Sequence, residues 1–217
     1  MGSAGSAKSY FITQKLIVRA CMEKIKIAVC RRYGTTIRNT CFSLFKDVLT
    51  KWQLYPQYVK IRETDFNIRF PNGSEIIFLG LDDETKLLSL HGVGTIFIEE
   101  VFEVPKSIVE QLNLRMRADI PNQQIIMAFN PISKNSWLYD FCEKNPPTNS
   151  LYTHSTYKDN PFLNTSYAEM LNGYLAARGI DDRGCAFIIL EALKRAKERG
   201  CNIGVYATTT VGEETTM

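Results

Sequence analysis

Thr95 to Glu100 reads TIFIEE, and the reading of these six residues decides the fold. Ile96, Phe97 and Ile98 are consecutive apolar residues, so a strand through them is covered on both faces. Strands of that kind belong to largely parallel sheets with helices on either side. The run then ends in two adjacent carboxylates, Glu99 and Glu100. In open α/β folds, ligands bind at the carboxyl ends of the strands. A solvated acid pair at a strand exit is common for any single Glu-Glu. Its meaning depends on what else the chain brings to that edge.

What it brings is at the other end of the sequence. Gly2-Ser3-Ala4-Gly5-Ser6-Ala7-Lys8-Ser9 fits the pattern G-x-x-x-x-G-K-[ST], with Ala7 in place of the last glycine. In such a loop, backbone N–H groups point inward at an anion and the following helix presents its positive end. Lys8 is then the residue that reaches the β- and γ-phosphates, and Ser9 the one that holds Mg²⁺. Alanine at position 7 adds one methyl group and is expected to permit a helical start. A flexible Gly/Ser/Ala terminus is the bland alternative for the loop alone. With the acid pair the two stretches make one chemistry. Glu99 orients the metal shell and Glu100 polarises a water for in-line attack on the γ-phosphate. Glu99 stands where an aspartate is more usual.

Between and beyond these stretches, apolar periodicity alternates between helix and strand. Ser9 to Lys24 is a predicted helix with Phe11, Ile12, Leu16, Ile17 and Ala20 on its apolar face, and Ile25 to Arg32 is a predicted strand. Thr35 to Trp52 carries Ile37, Cys41, Leu44, Phe45, Val48 and Leu49 at helical spacing. Asp65 to Leu81 is a hairpin signature around Pro71-Asn72-Gly73. Ser107 to Ile120 reads as an amphipathic helix, and Gln123 to Ser133 holds another buried strand ending in Phe129-Asn130-Pro131. Asn130, at a strand tip, is able to touch the γ-phosphate; an Asn-Pro turn explains it equally well. The pattern predicts a three-layer α/β phosphate-loop NTPase with a largely parallel central sheet. From Gly179 to Met217 the character changes to a short basic helix, a candidate strand at Asn202–Thr208 and a polar tail.

Composition sets broad limits. Hydrophobic residues at 45% and charged residues at 23% are globular values. A net charge of +3 neither demands nor excludes a nucleic-acid partner. The six cysteines form no C-x-x-C pair and read as small buried residues of a reducing compartment. No apolar run approaches the roughly 18 residues of a membrane span. A soluble intracellular protein is expected, with no membrane partner.

The order GSAGSAKSYFITQK, VCRRYGTTIRNTCFSLF, FPNGSEIIFLGLDDETKLLSLHG, IFIEEVFE, QLNLRMR, AFNPISKNSWLYDFC and HSTYKDNPFL resembles the ATPase half of the large terminase subunit of tailed bacteriophages. The resemblance runs from Gly2 to about Arg178. It implies a motor that uses ATP and Mg²⁺ to package double-stranded viral DNA into a procapsid. The implied partners are the portal protein, the small terminase subunit and further copies of the chain in a ring, in the cytoplasm of the bacterial host. On the matching positions it implies Gly2 to Ser9 for the nucleotide, Ser9 and Glu99 for the metal, Glu100 and Lys8 for catalysis, and Asn130 for coupling.

Three departures from the family accompany this. The family's first core strand has no counterpart before Met1, and the nuclease domain has none in residues 179–217, where Asp181, Asp182, Glu213 and Glu214 are too few to replace it. An arginine often precedes the glycine before the acidic strand; here His91 precedes Gly92. The trans-acting arginine is therefore open among Arg31, Arg32, Arg115 and Arg117. A strand missing from the sheet's centre is expected to leave a slot that either Ile203 to Ala207, lying beside Ile96–Ile98, or a partner chain fills. The rival readings are a helicase-like DNA translocase, a small-molecule kinase, and an inactive truncated terminase fragment. His154, Trp52 and Trp137 are read as structural.

Overall fold

A computed structural model describes residues 1–3, 5–82, 90–117, 120–130 and 135–178, with side chains as far as Leu171. Helix α1 (Lys8–Met22) leads into β1 (Lys26–Arg31). Then α2 (Gly34–Ile37), a π-helical turn (Arg38–Phe42) and α3 (Ser43–Lys51) run on as one helical stretch. Strands β2 (Lys60–Arg62), β3 (Asn67–Arg69) and β4 (Glu75–Gly80) precede β5 (Val93–Glu99). Helix α4 (Lys106–Arg115) then crosses to β6 (Gln124–Ala128).

The sheet order is β2-β3-β4-β1-β5-β6. Strands β4, β1, β5 and β6 are parallel, and the predicted hairpin adds β3 antiparallel to β4. Alternation across the pleat splits the core in two. Ile27 and Val29 of β1 and Phe97 of β5 face Leu16 and Ile17 of α1 and Phe45, Val48 and Leu49 of α3. Ala28, Cys30, Ile96 and Ile98 face the other way, onto Ile108 and Leu112 of α4. Every residue of β5 is buried, as its apolar run demands. Three layers result.

Several expectations change. Phe11 is 66% exposed, because the buried stripe of α1 is Thr13, Leu16, Ile17 and Ala20. At 3.6 residues per turn, Phe11 sits on the far side of the helix from Thr13. Cys21 is exposed, whereas Cys30 and Cys41 are buried as expected. Helix α4 stops at Arg115, where Met116 leaves helical geometry with ψ 69°. Strand β2 was not foreseen; it is three residues long and mostly exposed, so it has no apolar signature.

The central slot is also not where it was expected. Ile96–Ile98 are paired on both sides, with β1 and with β6. At the flank of β6, the Gly2 N–H donates to the Phe129 carbonyl (3.0 Å) and Gly2 bridges Ser155 in parallel fashion. Residues 1–3 thus run between the end of β6 and Ser155. The candidate filler, Ile203 to Ala207, lies outside the described residues, as do Ala4, Pro131, Asp181, Asp182, Glu213 and Glu214.

The chain divides into two compact units, Met1–Pro161 and Phe162–Met217. The second contains α5 (Thr165–Arg178), which Asn164 caps by accepting from the Tyr167 N–H at 2.7 Å.

Candidate nucleotide site

The loop before α1 is shaped by two left-handed residues, Gly5 (φ 75°) and Ala7 (φ 57°). The first intrahelical bond is from the Phe11 N–H to the Ala7 carbonyl, so the earlier N–H groups of the helix have no acceptor within it. Among the described residues no side chain caps this end, and no acid lies in the first turn. That leaves the positive end of a 15-residue helix open to an anion. Ala7 differs from its sequence reading. It lies outside the helix in a conformation costing about 1–2 kcal/mol for a residue with a Cβ. Gly2 is required for another reason, close approach: a Cβ there would stand 2.5 Å from Ser6 Oγ and 2.6 Å from Ser155 Oγ.

The acid strand meets this loop. Ser9 Oγ donates to Glu99 Oε1 at 2.6 Å, and Lys8 Nζ donates to Asn130 Oδ1 at 2.7 Å. Sheet register explains the convergence, because Glu99 of β5 pairs with Ala128 of β6 and Asn130 follows two residues later. Arg19 fixes the other end of α1, bonding Thr95 Oγ1 on β5 and the Asn122 carbonyl ahead of β6, both at 2.9 Å. Lys8, Ser9, Glu99 and Asn130 are thereby brought together.

Glu99 is only 8% exposed. Burial pushes its carboxyl above the ordinary carboxylate range; the Ser9 hydrogen bond opposes this and the neighbouring Glu100 charge adds to it. Glu100 turns off the strand in a left-handed conformation (φ 52°, ψ 52°), and its buried Oε2 has no hydrogen-bond partner among the described residues. Backbone strain of this kind gathers at functional positions. The two acids open onto a cavity of about 220 Å³ that Ser9, Thr13, Arg31 and Thr40 also line. Thr40 reaches it from the π-helical turn, a feature frequent at functional sites.

The four arginines separate. Arg31 faces this cavity, with its Nε 3.8 Å from Glu103 Oε2. Arg32 bonds the Leu81 carbonyl and lies over the Tyr33 ring. Arg115 and Arg117 line a second cavity, of about 550 Å³, with His91 at the opposite end of β5 from Glu99. Trp137 donates to the Val104 carbonyl as a packing residue, and His154 is exposed.

Sequence reasoning gave no role to the segment that brackets the loop. Ser155 exchanges backbone hydrogen bonds with Met1 and Ser3, and the Tyr157 N–H donates to Ser3 Oγ (3.1 Å). Asn160 Nδ2 donates to the Gly5 carbonyl (2.8 Å). The only signal was that HSTYKDNPFL is an uncommon stretch; its partners lie more than 150 residues away.

Among the described residues no three His, Cys, Asp or Glu side chains gather as a metal cluster, and no helix is long and apolar enough to cross a membrane.

The family model for the phage terminase large subunit matches residues 1–178. A second model, for M42 glutamyl aminopeptidase, matches residues 157–217, less than half of the chain. The chain is 31% identical over 192 residues to the PBSX phage terminase large subunit of Bacillus subtilis (strain 168), covering 80% of this chain and 44% of that protein. It is 30% identical over 182 residues to the terminase large subunit of Bacillus phage SPP1, covering 77% and 42%. The chain thus spans less than half the length of these relatives. Its fold is shared with the large terminase of a thermophilic bacteriophage, at TM-score 0.63 and 21% identity over 78% of this chain and 43% of that one. That same thermophilic phage protein in complex with ATP-gamma-S aligns at TM-score 0.62 and 19% identity, covering 78% and 42%. With a family model over residues 1–178, and two relatives at least 30% identical that cover more than three quarters of it, the chain belongs to the phage terminase large subunit family.

Proposed function

We propose that the unit Met1–Pro161 carries the ATPase site of a DNA-packaging motor, in which ATP hydrolysis drives double-stranded viral DNA into a procapsid. The observation that carries this reading is the 2.6 Å hydrogen bond between Ser9, in the first turn of α1, and Glu99, at the end of the buried β5. It supports one site made of an anion-binding helix end and a cation-binding acid.

Each residue has a separable task. The loop amides and Lys8 bind the β- and γ-phosphates. Ser9 and Glu99 offer a hydroxyl and a carboxylate, hard oxygen donors that would hold Mg²⁺. Bound there, the ion supplies neutralisation of charge developing on the β- and γ-oxygens. Glu100 accepts a hydrogen bond from the attacking water. The water's oxygen bonds to the γ-phosphorus as the bond from that phosphorus to the bridging oxygen breaks, leaving ADP, phosphate and a proton. Asn130, which accepts a hydrogen bond from Lys8, reports occupancy of the site.

In the packaging reading, DNA is gripped by its phosphates, tolerant of sequence and weakened by salt. The motor is a head-to-tail ring at the portal in the host cytoplasm, working with the small terminase subunit, and a neighbour's arginine completes each site.

The test is phosphate release from Mg-ATP with and without double-stranded DNA. Stimulation by DNA that Lys8→Ala abolishes supports a motor. Phosphate transfer to a small acceptor contradicts it, and a chain that neither hydrolyses nor binds Mg-ATP is an inactive fragment.

A further inference from the structure

We propose that Asn160 is a positioning residue of the phosphate loop, one that orients the Gly5–Ser6 peptide so that the amides beyond it face the bound anion. The inference rests on the nucleotide-site reading and extends it to a residue 155 positions away from the one it holds.

A peptide unit presents its carbonyl and its N–H in opposite directions. Here both ends of one unit are held. Asn160 Nδ2 donates to the Gly5 carbonyl at 2.8 Å, and the Ser6 N–H donates to the Ser3 carbonyl at 3.3 Å. That plane lies just before the left-handed Ala7, from which the chain enters α1. Fixing it fixes the direction from which the first N–H groups of the helix approach a phosphate.

Asn160 is itself fixed. Its N–H donates to the Tyr157 carbonyl at 3.2 Å, closing a short 3₁₀ turn (Tyr157–Asp159). Thr156 and Asp159 cap that turn reciprocally, and the Tyr157 ring is buried. The Tyr157 N–H also holds Ser3 Oγ, so one rigid turn grips the loop at two points. A carboxamide suits the task, because it donates without placing a negative charge beside an anion.

Three measurements test this on wild type, Asn160→Ala and the isosteric Asn160→Asp: unfolding midpoint without ligand, affinity for ATP-gamma-S with Mg²⁺, and hydrogen exchange of the Gly5–Lys8 amides without ligand. A loop that must be ordered on binding loses about 10-fold in affinity. Asn160→Ala is expected to show that loss, with faster loop exchange and little change in midpoint. Asn160→Asp, with the same shape and no donor, is expected to be as weak or weaker. Wild-type affinity in both variants, or a lower midpoint with affinity and loop exchange unchanged, overturns the proposal. If wild type does not bind nucleotide, the nucleotide-site reading fails, while loop exchange still decides whether Asn160 orders the loop.

Discussion

Lys8 Nζ and Asn130 Oδ1 lie 2.7 Å apart, so the amine at the start of α1 is engaged with the residue just beyond the end of β6. A phosphate arriving at the loop has to compete for that amine. Asn130→Ala is therefore expected to leave Mg-ATP affinity unchanged or tighten it several-fold, while hydrolysis falls on the order of 10-fold because occupancy is no longer reported. Titration calorimetry and phosphate release, run in parallel, separate the two effects. A loss of affinity as large as that of Lys8→Ala would contradict this account of Asn130.

Ala7 offers a stability test. Its φ of 57° strains any residue with a Cβ, and Ala7→Gly removes that strain while enlarging the freedom of the unfolded chain. The two effects leave a net gain of about 0.5–1 kcal/mol, read from the midpoint of urea unfolding. Ala7→Val is expected to destabilise, since a β-branched side chain is the poorest fit to this region.

Gly2 should tolerate no side chain. The Cβ of Gly2→Ala meets two serine hydroxyls and lies 3.2 Å from the Ser155 carbonyl, so the bridge that leads into the loop has to move. A cost of about 1–3 kcal/mol is expected, as for other overpacked sites. Nucleotide affinity should fall with it. Thermal unfolding with and without Mg-ATP measures both.

Glu99 gives the site its pH dependence. Burial raises its carboxyl above the ordinary range, so the folded protein binds more protons than the unfolded chain between that range and the raised value. Stability without ligand must then fall as pH rises through the window. Glu99→Gln removes the buried charge and should raise the unfolding midpoint above the window, with the advantage vanishing below about pH 4.3, where the ordinary carboxylate is protonated. Magnesium affinity should fall as wild-type Glu99 is protonated over the same window. An equal midpoint for variant and wild type at neutral pH would remove this explanation.

The parts of the fold legible in the sequence were those with strong local signals. Ile96–Ile98 announced a strand buried on both faces, and Pro71-Asn72-Gly73 announced the β3–β4 hairpin. The meeting of Ser9 with Glu99 and of Lys8 with Asn130 was legible where a short pattern carries its own chemistry. What escaped had either no local signature or only a tertiary one. Asn160 acts on Gly5 through a contact that no spacing encodes. Phe11 fits a helical stripe by period, yet the face α1 buries is chosen by β1 and α3. The methyl group of Ala7 was visible; the left-handed backbone beneath it was not.

The central claim is that Gly2 to Ser9 is a phosphate loop completed by Glu99. Titration of the protein with Mg-ATP in a calorimeter tests it most directly, using wild type and Lys8→Ala. The account predicts saturable binding of one nucleotide per chain, weakened at least roughly 100-fold by the substitution, since a charge-assisted contact to phosphate is lost. Equal binding by the two proteins, or no binding by wild type, would contradict it.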